Sequence, residues 1–271
     1  MTRVFIAFLV LAAGALTACG HAVQTSSGSD YLARTPAGGT IDPEIARIAA
    51  VEPDLRFPAR IGVARIVNGM LTLPPAGEAE LFADIAGRHR SLGRFVAVSP
   101  LVAAMVTGAP NDAATRRYHG RVDPKRMMDD VRAAAARQHL DYVLIYEIGA
   151  RSRTENTPFA LADVTLIGGA LLPTRSIRVV GIGQALFVDV RNGYPYGTAQ
   201  AAEDLSGLAR SFGHHRTAEA LRERAILKTA EALVPEVEAM FVELGRRGGL
   251  QDRAFAQRLG RAVMAEAARQ P

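Results

Sequence analysis

The chain holds one cysteine, Cys19, no tryptophan, and only two lysines, Lys125 and Lys228, among 32 basic residues in 271. A lone thiol excludes an intrachain disulfide framework. No stretch reaches the ~20 apolar residues that cross a bilayer. The run over residues 4–16 is too short, and residues 160–172 are interrupted by Asp163, Thr165, Gly168 and Gly169. The scarcity of lysine beside abundant arginine fits either phosphate and carboxylate recognition or a nucleotide bias that also raises alanine. Catalytic signatures are missing too. There is no Gly-x-Ser-x-Gly elbow. Gly181-Ile182-Gly183 lacks the third glycine of a dinucleotide fingerprint and lies inside a strand-like run, so the glycines read as close packing contacts. His214-His215 has no further ligand at metal spacing and reads as a solvated loop pair. His89 and His139 fall on helix patterns and read as packed or capping residues. No catalytic residue, cofactor or metal is expected.

What is present is concentrated at the start. Arg3, the apolar run over 4–16 and then Leu16-Thr17-Ala18-Cys19 follow the order of a secretory signal: charge, apolar middle, small residues at the cut. Leu-Thr-Ala-Cys resembles the lipobox of bacterial lipoproteins. The resemblance implies cleavage after residue 18, diacylglycerol on the Cys19 thiol and acylation of its new amine. Multiple acyl chains anchor a protein stably, each buried CH₂ contributing ~0.8 kcal/mol. Gly20 stands where an Asp commonly marks inner-membrane retention in that family, so the expected place is the outer membrane, on its periplasmic face. Removing residues 1–18 leaves 253 residues and takes the net charge from +5 to +4 with the loss of Arg3. An exported basic chain of this kind is expected to meet anionic lipid or acidic envelope polymers, and not nucleic acid.

Residues 19–54 read as the lipidated N-terminus and a tether. Ser26, Ser27, Gly28, Ser29, Gly38 and Gly39 make residues 21–40 flexible, with a root-mean-square span of ~25 Å. Asp42-Pro43-Glu44 then opens a short helix. An α/β domain is expected over 55–245. Residues 60–67 form its first strand, 77–92 a helix with Leu81, Ile85, His89 and Leu92 inward, and 95–98 a second strand. A short helix follows over 101–106 and a polar loop over 107–122. Asp123-Pro124 starts a helix to His139 with Met127, Val131 and Ala135 inward, and 142–148 is the strongest strand. Strand–helix alternation implies helices packed on a sheet, in two or three layers. An antiparallel hairpin is added over 176–202, its turn at Asn192-Gly193 read as a two-residue turn with φ > 0 at both positions. A long helix over 217–244, kinked near Glu231 by Pro235, ends at Gly245 or Gly248-Gly249. Residues 246–271 form a separate basic amphipathic helix.

Two carboxylates draw notice. Glu147 interrupts an apolar strand, and as a buried acid it would need a partner such as Arg151, Arg178 or Arg191. Asp163 is the second, and either could serve as acid or base if the chain were a hydrolase. The candidate interaction surface is the apolar patch of Val164, Leu166, Ile167, Leu171 and Leu172, together with the turn at Asn192 and Gly193. The patch is equally readable as a buried helix or strand.

Four strings carry a wider resemblance: Asp54-Leu-Arg-Phe-Pro-Ala-Arg-Ile-Gly-Val-Ala, Leu140-Asp-Tyr-Val-Leu-Ile-Tyr, Val164-Thr-Leu-Ile-Gly-Gly-Ala-Leu-Leu-Pro and Leu186-Phe-Val-Asp-Val-Arg. They resemble the rhombotarget lipoprotein family over residues 52–244. The Gly-rich sorting tail of that family is replaced here by a helix pattern and Arg-Gln-Pro, so processing by a rhomboid-type protease is not expected. At the level of fold, the pattern is also similar to the domain of curli-secretion and penicillin-binding-protein activator lipoproteins. The rhombotarget likeness brings no established catalytic residues, and the wider one implies action by binding and assembly. The expectation is therefore a non-catalytic binding or assembly module with an envelope protein partner, with an oligomeric secretion component or an envelope hydrolase as alternatives.

Overall fold

The computed structural model describes residues 20–34, 39–108, 123–156, 175–209 and 214–267. It is a mixed α/β fold on an open seven-stranded sheet. In chain order the elements are β1 (Gly20–Val23), α1 (Gly28–Ala33), α2 (Pro43–Ala49), β2 (Ala59–Val67), β3 (Met70–Thr72), α3 (Ala76–Arg88), a 3₁₀ turn (Arg90–Leu92), β4 (Gly93–Ala97), α4 (Pro100–Thr107), α5 (Pro124–Arg137), β5 (Tyr142–Asn156), β6 (Arg175–Asp189), β7 (Pro195–Ala209) and α6 (His214–Ala267). The strand order is β1-β7-β6-β5-β2-β3, with β4 also on β2. β4 runs parallel to the first half of β2, Ala59 opposite Gly93 and Val63 opposite Ala97. β3 runs antiparallel to the second half, Val67 opposite Met70.

The caps explain where the helices begin. Asp42 and Asp123 accept the backbone N–H groups of Glu44 and Lys125, with proline at the first helical position in each case. Ser99 caps α4 through the N–H of Val102, again ahead of a proline. α3 buries Glu78, Phe82 and Ile85, so its inward face is rotated from the one the sequence suggests, and Leu81 is half-buried. α5 buries Val131 and Ala135 as expected, with Ala134 beside them, and Met127 is half-buried.

By contact density the described residues fall into two compact units, interleaved in sequence. One gathers the described residues of Met1–His21, Tyr146–Ala185 and Ala199–Val237. Its core is Ala150, Ile177, Val179 and Ala225, with Leu205, Leu221 and Ile226 against it. Here Gly181 and Gly183 allow close approach: a Cβ on Gly181 would lie 2.1 Å from Thr229 Oγ1, and one on Gly183 3.0 Å from Thr229 Cγ2. Thr229 donates to the carbonyl of Ala225 at 2.7 Å, which hides its hydroxyl within the helix. The packing reading of this Gly-x-Gly is the one the geometry carries.

The other unit gathers the described residues of Ala22–Ile145, Leu186–Thr198 and Glu238–Pro271. Ala64, Ile66, Val98, Val131, Ala135, Val143 and Val188 belong to its aliphatic core. A second, aromatic core centres on Phe187, whose ring lies 4.9 Å from Phe241, 5.4 Å from Tyr142 and 5.9 Å from Tyr196. The tyrosine hydroxyls hold the N-terminal segment. Tyr142 Oη donates to Asp54 O and accepts from Arg56 N, both at 2.8 Å, and Tyr196 Oη accepts from Asp54 N at 2.8 Å. Burial pushes the Tyr142 phenol up to about 12, so it stays a donor.

Four sequence expectations are corrected. The segment expected as a tether carries β1 and α1. The two-residue turn with both φ positive occurs at Asn68-Gly69, with φ 52° and 74°, between β2 and β3. At Asn192-Gly193 only Gly193 has positive φ, 77°. There the loop is four residues, closed by Gly193 N to Asp189 O at 3.1 Å and Asp189 N to Tyr194 O at 3.0 Å. α6 does not stop at Gly245 or Gly248-Gly249 but runs unbroken to Ala267, so no separate helix begins at 246. A helical glycine costs only ~1 kcal/mol against alanine, and Gly245 keeps negative φ with nothing near its open side. His214-His215 opens that helix instead of sitting in a loop.

Candidate functional site

An open cleft in the second unit combines apolar walls with fixed charge. Its volume is about 520 Å³. Leu55, Phe57 and Pro58 come from the segment before β2, His89, Ser91 and Leu92 from the turn after α3, and Phe241, Val242, Gly245 and Arg246 from α6. Local sequence explains each wall. The tyrosines hold the segment at Asp54 and Arg56, just before the cis Phe57-Pro58 bond. α3 ends at His89, whose φ and ψ of −120° and 67° turn the chain into the 3₁₀ turn. Gly93 then permits β4 to close on β2: at φ 107° its missing Cβ would lie 2.1 Å from Ala59 O.

Glu238 is the polar pivot beside the cleft. It accepts from Arg88 Nε at 2.9 Å and Nη2 at 2.6 Å, and its other contact is His89 Nε2 at 2.6 Å. The Arg88 hydrogen bonds, against some desolvation, hold the Glu238 carboxyl below its ordinary 4.5. The sign follows from linkage. A carboxyl with a lowered folded pKa stabilises the fold above its ordinary value, and that contribution is lost as pH falls through the folded value. Glu238→Gln should therefore lower the urea midpoint at pH 7, and its deficit against the natural protein should shrink steadily below pH 4.5. A deficit independent of pH would contradict the clamp.

The buried acids among the described residues are Glu78, paired with Arg65, and Asp189, and not Glu147. Glu147 is exposed on β5. Asp189 is fully buried, and its Oδ1 accepts from Arg191 N at 2.7 Å and Asn192 N at 3.3 Å. Arg132 donates to Val190 O at 3.0 Å and Arg191 O at 3.2 Å. Asp189 Oδ2 and Arg132 Nε have no hydrogen-bond partner among the described atoms. The loop is thus a capped corner. Asn192 is exposed, but its amide donates to Glu52 O at 3.0 Å and accepts from Tyr194 N at 2.8 Å. Gly193 lies under the Arg132 guanidinium.

Arg178, one expected partner of Glu147, pairs with Asp204 on β7. Arg191 lies 3.7 Å from Asp189. Cys19, Asp163, Val164, Leu166, Ile167, Leu171 and Leu172 lie outside the described residues. Among the described residues no group of three or more His, Cys, Asp or Glu could hold a metal, and no helix is long and apolar enough to cross a membrane. Sequence reasoning missed the cleft because His89 and Glu238 are 149 positions apart. The one local signal was His89 at the end of a helix pattern.

No protein-family model matches the chain, and no curated protein matches it in sequence. The likeness to rhombotarget lipoproteins therefore rests on its four strings. Among solved structures, the chain is similar to the dodecamer of a PelC point variant from Paraburkholderia phytofirmans, at 15% identity over 67% of this chain and 92% of that one, with a TM-score of 0.27. It is also similar to the lipoprotein GNA1162 from Neisseria meningitidis, at 14% identity over 62% and 97%, TM-score 0.26. A third is the hypothetical protein CT253 from Chlamydia trachomatis, at 16% identity over 67% and 97%, TM-score 0.23.

Proposed function

We propose that this chain is a lipid-anchored envelope lipoprotein whose domain binds another envelope component without catalysis. Its location rests on Leu16-Thr17-Ala18-Cys19 behind a charged and apolar leader. Gly20 after the cysteine favours the periplasmic face of the outer membrane. The single observation that carries the binding role is the cleft, with apolar walls of Leu55, Phe57, Leu92 and Phe241 and Arg246 among its lining residues. That combination suits an apolar segment flanked by a carboxylate, with the cation fixing its direction. A partner protein or a further copy of this chain could supply such a segment.

The hydrolase alternative gains no support from these observations. Glu147 is exposed, and His89 Nε2 is already engaged by Glu238 at 2.6 Å, which fits a fixed wall better than a base awaiting substrate. A photo-crosslinking residue at Ser91, in cells making the full lipoprotein, should give one reproducible envelope adduct. The same probe at Leu208, exposed on β7, should not. Val242→Asp should cut the Ser91 adduct roughly tenfold, the factor that about 1.4 kcal/mol of lost binding gives. Identical adducts at both positions, or no effect of Val242→Asp, would remove the cleft as the binding site.

A further inference from the structure

The anchor proposed above has almost no slack. We infer that the α1–α2 pair, through Tyr31, Ile45 and Ile48, rests on the phospholipid surface to which Cys19 is joined. This rests on the lipoprotein reading, and it replaces the flexible ~25 Å tether expected over 21–40 with a short, fixed link.

The chain is fixed to the second unit within three residues of Cys19. A Cβ on Gly197 would lie 2.8 Å from Ala22 O, so the two backbones are in close contact. Gln24 N donates to Tyr196 O at 2.7 Å, and Tyr194 Oη donates to Ser26 O at 2.7 Å. Three residues span at most about 10 Å. A lipid on Cys19 therefore holds Ala22 within about 10 Å of the headgroup level.

The next elements are clamped to that pinned strand. Ser27 caps α1 through the N–H of Asp30 at 3.2 Å. Ser29 N donates to Glu52 Oε1 at 2.8 Å, which holds the Glu52 carboxyl below its usual range. Gly28 is the contact between the helices: a Cβ there would meet Ala49 O at 2.1 Å. Against this rigid backing, large apolar groups stay in solvent. Tyr31 is 56% exposed, Ile45 50% and Ile48 56%. Ile45 and Ile48 are three apart on α2 and share one face. A phenol with two branched aliphatics suits the headgroup–acyl boundary.

Charge decides what kind of docking this is. Asp30, Asp42, Glu44 and Glu52 outnumber Arg34 and Arg47, and Arg47 is paired with Glu44 at 2.6 Å. Attraction to anionic lipid therefore does not drive the contact. Apolar burial does, and it suffices when weak, because the anchor already supplies a local concentration of roughly millimolar.

The test uses the full lipidated chain, reconstituted in vesicles of phosphatidylethanolamine and phosphatidylglycerol. Ile48→Cys is the only free thiol once Cys19 carries lipid, and it takes an environment-sensitive fluorophore. Lipids bearing a nitroxide at the headgroup should quench it at least about twofold more than the same probe at Leu101→Cys, a site 79% exposed on α4. Tyr31→Cys should behave like Ile48→Cys, and replacing phosphatidylglycerol with neutral lipid should change neither. An unquenched probe at both 31 and 48 in a chain of lipidated mass overturns the orientation alone. Equal quenching at 48 and 101 also overturns it. A chain whose intact mass lacks the lipid overturns the anchor, and the orientation with it.

Discussion

Phe187→Ala should lower the stability of the domain by about 3–5 kcal/mol, the range found when a fully buried aromatic is truncated. Phe187 is 0% exposed and stands at the centre of a ring network. Phe241 meets it edge-on at 78°, Tyr142 and Tyr196 tilt against it, and Tyr142 and Tyr196 are themselves T-shaped at 84°. Removing the ring opens a cavity and strips three aromatic contacts at once. The effect should also reach the cleft. Tyr142 and Tyr196 hold Asp54 and Arg56 by their hydroxyls, and Leu55 and Phe57 between and beyond those residues are cleft wall. A urea titration followed by circular dichroism reads the loss as a lower midpoint at unchanged slope. Phe187→Leu, which keeps most of the buried area, should cost less. A loss below about 1 kcal/mol for the alanine variant would mean that the ring network is not a core of this unit.

The second large effect concerns Arg65 and Glu78. Arg65 Nε lies 2.7 Å from Glu78 Oε2 and Nη2 lies 3.0 Å from Oε1, a two-point pair with side chains only 13% and 5% exposed. Glu78 also sits in the first turn of α3, where a negative charge is favoured. Glu78→Ala leaves a guanidinium in the interior without its counter-charge, and about 3–5 kcal/mol should be lost. The pair as a whole need not stabilise so strongly, because both charges were taken from water. Arg65→Met with Glu78→Leu should therefore recover most of the loss or exceed the natural stability. If the double variant were as unstable as Glu78→Ala, the pair would be stabilising in its own right, and the desolvation argument would fail here.

Much of the fold was readable from short-range chemistry. Asp42-Pro43 and Asp123-Pro124 mark helix starts because the carboxylate cap and the fixed proline φ act within three residues. The strand around Tyr142–Ile148 was legible as an apolar run, though β5 extends to Asn156. The apolar face of the last helix was legible as Leu221, Ile226, Ala230, Leu233, Val237, Met240 and Leu244, of which the last five are buried and the first two half-buried. Its end was not, because a glycine stops a helix only where the next residues take a left-handed or non-helical path. Turn type failed for a related reason. The same Asn-Gly dipeptide makes a two-residue turn at 68–69 and lies in a four-residue loop at 192–193. What distinguishes the second is the Asp189 carboxylate gathering the N–H groups of Arg191 and Asn192.

Burial of polar groups was the least legible feature. Glu147 interrupts an apolar run yet points outward, while Asp189 is enclosed. Alternation along a strand assigns faces, but it does not say which face a neighbouring element covers. The cleft lay beyond sequence reasoning altogether, since segments near 57, 90 and 242 build it and no local pattern links them. The early strand β1 was hidden by its composition. Gly20-His21-Ala22-Val23 has little strand character of its own and is held by pairing with β7.

The measurement that bears most directly on the lipoprotein reading is the intact mass of the protein purified from its native membrane fraction. The expected product is a chain beginning at Cys19, with diacylglycerol on the thiol and a further acyl chain on the amine, that stays with the membrane through a high-salt wash. A chain that retains residues 1–18, or begins at residue 19 with a free thiol and is released by salt, would contradict it.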